Sequence, residues 1–136
     1  MRINRKELSR PELIVFDIDG TLIKWKGYEY IWQFLLRDLK LEKANQEYLR
    51  RYNSKKISYY DWHKRLFSLM ASNDIKYKDF YYSICNALPD TTLIYQLILR
   101  LKQHVRYMAI LSGSITLALE IGQIPMILFD VIYAHL

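Results

Sequence analysis

The segment LIVFDIDGTLI, residues 13–23, joins an apolar strand to two carboxylates with no spacer between them. Leu13-Ile14-Val15-Phe16 is continuously apolar rather than alternating, the pattern of a parallel strand covered on both faces. Asp17 and Asp19 then stand at its carboxyl end, where open α/β sheets bind ligands. Like charges this close repel, and each loses hydration as it is buried, so the pair points to a cation or to chemistry. Gly20 supplies a backbone free to turn, and Thr21 a hydroxyl able to orient a neighbouring oxygen. Residues two apart on an extended chain face opposite ways, so a turn at Gly20 is needed to bring the second carboxylate back beside the first.

The rest of the chain sets bounds on this reading. With 136 residues, 51% of them hydrophobic, there is enough material for one domain with a core, and no low-complexity tract or long linker divides it. The single cysteine, Cys85, has no partner for a disulfide or a metal frame, which points to a reducing, cytoplasmic compartment. The N-terminus, MRINRKELSR, is basic and lacks the apolar run of a secretory signal. The net charge of +6 is uneven: every Lys and Arg lies at or before Arg106, and residues 107–136 carry only Glu120 and Asp130. That apolar tail is broken by Ser112-Gly113-Ser114, Gly122 and Pro125, so it reads as packed core and not as a membrane span.

After Ile23 the composition turns aromatic and basic. Tyr30, Ile31, Phe34, Leu35 and Leu39 recur at helical spacing, and Glu42 to Tyr52 forms a second, more polar helix. Ser58, three residues before Asp61, signals the start of a third helix carrying Trp62, Leu66, Leu69 and Met70, and Asp79 to Leu88 makes a fourth. Residues 24–88 therefore form a helical insertion. Pro89-Asp90-Thr91 opens another helix, Val105 to Leu111 is a second apolar strand ending at Ser112-Gly113-Ser114, and Thr116 to Ile121 is helical again. Strands and helices in this order predict an α/β fold, a doubly wound parallel sheet built from 1–23 and 89–136. His63, His104 and His135 have no ligand-like neighbours and read as packing or surface residues.

The two strand ends together suit a phosphate: one aspartate can attack phosphorus while a second carboxylic acid protonates the leaving alcohol. Asp17-Ile18-Asp19-Gly20-Thr21 resembles the DxDGT motif of the haloacid dehalogenase (HAD) superfamily of phosphatases, and Ala109-Ile110-Leu111-Ser112-Gly113-Ser114 resembles its second motif. The position of the helical insertion, the Pro89 helix and the phrase Phe129-Asp130-Val131 look most like the phosphoserine phosphatase branch. The resemblance implies Asp17 as nucleophile and Mg²⁺ ligand and Asp19 as general acid/base with its backbone carbonyl on the metal. It further implies Thr21 as an orienting group and Ser112 with Gly113 on the phosphoryl oxygens. A hard cation among oxygen ligands would let an anionic nucleophile approach an anionic ester. The insertion corresponds to the cap that selects the leaving group, and the substrate to a small phosphorylated metabolite.

The same resemblance requires a lysine and an acidic cluster after the second motif, and no Lys or Arg follows Arg106. The expectation is a chain truncated after the second motif, with the C-terminal half of the sheet domain missing and hydrolysis impaired or abolished. An uncovered sheet would then expose apolar surface and favour self-association through its edge. The alternative is a non-catalytic remnant or binding module whose basic, aromatic-rich helices hold nucleic acid or a protein partner. No nucleic-acid motif accompanies those helices, so nucleic acid is not the expected partner.

Overall fold

The computed structural model describes residues 11–135, and the basic run at 1–10 lies outside the described residues. The chain divides into two compact units, one running through Lys24 and resuming at Leu88, the other Trp25–Ala87.

The first unit is a parallel sheet of three strands, β1 (Leu13–Phe16), β2 (Tyr107–Ile115) and β3 (Val131–His135), in the order β1-β2-β3. Leu13 pairs with Tyr107 and Phe16 with Ile110, and on the other side Ala109 pairs with Val131. A helix, Thr92–Lys102, precedes β2, and a shorter one, Thr116–Ile121, together with the 3-10 turn Met126–Leu128, joins β2 to β3. Right-handed crossovers taken twice in the same direction lay both helices on one face of a sheet. The burial agrees: Met108 and Ile110 are fully enclosed, whereas Leu13, Val15, Tyr107, Leu111, Val131 and Tyr133 all stand exposed on the other side.

Two sequence expectations change here. β1 is not covered on both faces, since Leu13 and Val15 are about half exposed. Continuous apolar sequence shows that a strand can be buried twice, not that a second layer is present. β2 does not stop at Leu111 but continues to Ile115, and β3 forms where sequence reading had noted only the Phe129-Asp130-Val131 phrase. The parallel α/β sheet itself is as expected, its three described strands following one another in chain order.

Local ties fix this unit. Asp130 accepts hydrogen bonds from Lys102 Nζ at 2.9 Å and from the Met108 backbone at 2.8 Å, locking the start of β3 against β2. The Asp90 carboxylate accepts the Thr92 N–H at 2.9 Å at the head of the helix before β2, and the Thr91 hydroxyl donates to the Gly122 carbonyl at 2.6 Å. Phe16 and Phe129 meet edge to face with centroids 6.0 Å apart.

The second unit holds four helices, Ile31–Asp38, Glu42–Asn53, Tyr59–Ser72 and Tyr77–Ala87. Ser58 and Asp61 make a reciprocal capping box: the Asp61 N–H donates to Ser58 Oγ at 3.1 Å and the Ser58 N–H to Asp61 Oδ2 at 3.2 Å. The core is aromatic. Trp62 stacks on Tyr52 with centroids 5.6 Å apart, and its indole N–H donates to the buried Asn45 amide oxygen at 3.1 Å. His63 packs between Trp32 and Tyr59, its Nδ1–H donating to the Tyr59 carbonyl at 3.1 Å. No helix among the described residues is long and apolar enough to cross a membrane.

Candidate active site

The parallel register of β1 with β2 carries the ends of both strands to the same side of the sheet. Beyond Phe16 the backbone leaves the strand, and the Ile18 carbonyl accepts the N–H groups of Thr21, Leu22 and Ile23 at 3.2, 3.0 and 2.9 Å. Gly20 adopts φ +74°, a left-handed conformation that L side chains rarely take, and its N–H donates to the Ile23 carbonyl at 2.9 Å. Burial of Ile18, Leu22 and Ile23 anchors this loop to the core, so the carboxylates on either side of Ile18 are carried on a rigid support.

Opposite the loop, the pairing of β2 with β3 is irregular. Leu111 pairs with Tyr133 and Ile115 with His135, so four steps along β2 match two along β3. The extra residues fall at Ser112-Gly113-Ser114. Such irregularities bend a strand and re-aim its side chains, and here both serine hydroxyls turn to the aspartates. Ser112 Oγ donates to Asp17 Oδ1 at 2.6 Å, and Ser114 Oγ donates to Asp19 Oδ1 at 2.9 Å. Asp17 Oδ1 also accepts the Ile18 N–H at 2.7 Å, and Ser112 Oγ accepts the Ser114 N–H at 3.1 Å. Short hydroxyl contacts to a carboxylate are the stronger, charge-assisted kind.

Of the residues singled out from sequence, Asp17, Asp19 and Ser112 thus converge in one network. Gly113 lies between the two serines, exposed to solvent. Thr21 is exposed as well and enters through its backbone N–H to Ile18; the hydroxyls on the two carboxylates come from β2. Sequence reading missed Ser114. Its signal was the spacing, since Ser112 and Ser114 repeat the two-residue interval of Asp17 and Asp19.

The donors here are all oxygen, two of them carboxylates, which matches a hard divalent cation that keeps several of its own waters. Among the described residues no group of three or more His, Cys, Asp and Glu side chains converges to hold a metal. The oxygens that could take part in holding a cation here are the Asp17 carboxylate and the Asp19 backbone carbonyl, with no third acidic side chain beside them among the described residues.

No protein-family profile matches this sequence, and no curated protein sequence does. Solved structures do match. A HAD-like family hydrolase from Porphyromonas gingivalis superposes with a TM-score of 0.56 at 19% identity, over 93% of this chain and 67% of that one. The HAD-hydrolase YfnB from Bacillus subtilis, solved bound to magnesium, superposes with a TM-score of 0.51 at 17% identity, over 93% of this chain and 64% of its own. The chain thus has the α/β fold of HAD-like hydrolases and spans about two-thirds of the length of these two.

Proposed function

We propose that this chain carries the nucleophile-bearing part of a Mg²⁺-dependent phosphomonoester hydrolase of the HAD superfamily, acting on a small phosphorylated metabolite. One observation carries the reading: two carboxylates at one strand end, each held by a hydroxyl from the neighbouring strand, at 2.6 and 2.9 Å. An Asp17 oxygen attacks phosphorus, the bond to the ester oxygen breaks, and Asp19 delivers its proton to the departing alkoxide. Asp19 then takes a proton from water as that water attacks the aspartyl-phosphate, releasing inorganic phosphate and restoring Asp17. The Gly113 N–H supplies a donor to the phosphoryl oxygens, as does the Ser112 hydroxyl once it turns from Asp17 to the substrate, and Asp17 with the Asp19 backbone carbonyl would hold Mg²⁺, which would neutralise charge between carboxylate and phosphate. The helical insertion between β1 and β2 supports the phosphoserine phosphatase-like branch.

Ser112 and Gly113 bring no positive charge to the phosphoryl group, so turnover depends on a cationic group beside it. A single electrostatic donor of that kind is worth about 3 to 4 kcal/mol in the transition state. The same reading holds that the uncovered apolar side of the sheet makes the chain self-associate, in a reducing, cytoplasmic setting.

The test is phosphate release from a panel of small phosphomonoesters with Mg²⁺, comparing wild type with Asp17→Asn. Slow, Mg²⁺-dependent release that the substitution abolishes supports the enzyme. Salt-sensitive binding to nucleic acid with no release would replace it with a binding module built on the basic helices.

A further inference from the structure

We infer that Ser114 is the positioning residue of the carboxylate pair, holding Asp19 through its hydroxyl and Ser112 through its backbone N–H. This rests on the reading of Asp17 and Asp19 as the reacting pair. Ser114 is fully enclosed, with 0% of its surface exposed. A serine hydroxyl has one proton to give, and here it goes to Asp19 Oδ1 at 2.9 Å. The N–H of the same residue donates to Ser112 Oγ at 3.1 Å, and Ser112 Oγ in turn donates to Asp17 Oδ1 at 2.6 Å.

One residue therefore sits at the head of both chains of hydrogen bonds. Its position on β2 sets where each aspartate can lie relative to the other, and burial removes the alternative of a water-bonded hydroxyl. Constellations supported this way, by packed residues on a strand, are held more tightly than constellations on free loops. Ser112 and Gly113, less enclosed, are left to face substrate.

The two connections separate cleanly by substitution. Ser114→Ala deletes the hydroxyl but keeps the N–H, so Asp19 loses the hydrogen bond from β2 while the Ser112–Asp17 contact stays. The experiment is carbon NMR of the side-chain carboxyls in aspartate-labelled full-length protein, with Asp17 and Asp19 assigned by Asp→Asn substitution. In Ser114→Ala the Asp19 carboxyl resonance is displaced and the Asp17 resonance holds its position. The amide spectrum reports folding; should the alanine variant unfold, near-isosteric Ser114→Cys, whose thiol is a weaker donor, carries the same prediction. An unmoved Asp19 resonance, or equal displacement of both carboxyls, overturns the assignment. Titrating wild type with Mg²⁺ separates the underlying reading: if neither carboxyl responds, the metal-dependent function fails while the Ser114 tether is judged on its own resonances.

Discussion

Magnesium should stabilise the protein, and one isosteric substitution should remove the whole effect. Asp17 and Asp19 are each hydrogen-bonded to a serine of β2, so the folded chain fixes the Asp17 carboxylate and the backbone at Asp19 at one strand end, where a cation could bind them. The unfolded chain does not hold them together. A ligand that binds only the folded state adds RT ln(1 + [L]/Kd), about 2.7 kcal/mol when Mg²⁺ stands at a hundredfold over its Kd. For a chain of this size each kcal/mol moves the thermal midpoint by roughly 3–5 °C, which places the shift at roughly 8–13 °C. Asp17→Asn keeps the local hydrogen bonds, because the amide oxygen still accepts from Ser112 Oγ and the Ile18 N–H. It removes the charge while keeping both contacts as weaker, neutral ones. The metal-free variant should therefore melt close to metal-free wild type and should show no Mg²⁺ shift. Differential scanning calorimetry across a Mg²⁺ series measures both. A wild-type midpoint indifferent to Mg²⁺, or an Asp17→Asn midpoint that still climbs with it, would refute the pair as a cation site.

Other substitutions address the scaffold. Asn45→Ala strands the buried Trp62 indole N–H and should cost about 1–3 kcal/mol, read as a lower urea midpoint by tryptophan fluorescence; no change would mean that the contact contributes nothing. A Cβ at Gly122 would lie 2.9 Å from the Ala118 carbonyl oxygen, so Gly122→Ala should destabilise by about 1–3 kcal/mol in thermal melts despite removing a glycine. The Lys102 ammonium, with the Met108 N–H, holds the Asp130 carboxyl below its ordinary 3.8. That contribution is fully present above the ordinary value and is lost as pH falls through the lowered one, so Asp130→Asn should flatten the acid limb of a stability-versus-pH curve. Leu111→Lys, on the exposed side of the sheet, should raise the monomer fraction in light scattering with little change in stability; a wild type that is already a clean monomer at high concentration would count against self-association.

The local features of this chain are legible in one dimension because their causes are local. An apolar run ending in DxDGT, helical periodicity in residues 30–88 and a Ser-x-x-Asp helix start all depend on neighbours within a few residues. Even there the capping box is more complete than its letters suggest, since aspartate, shorter than the usual glutamate, still reaches back to the Ser58 N–H. The convergence of Asp17 with Ser112 and of Asp19 with Ser114 belongs to another scale. Each pair is 95 residues apart, and only the parallel register of β1 on β2, with the irregular step beside β3, brings the partners into contact. The spacing of Ser112 and Ser114 echoes that of Asp17 and Asp19, but it names no partner until the strand carrying the serines has been paired. Which residues of β1 and β2 stand on the exposed side, Leu13 and Val15 with Tyr107 and Leu111, is likewise decided by the pairing register. Side-chain chemistry is inherited residue by residue, whereas distance between remote groups exists only after the backbone hydrogen bonds have chosen their register.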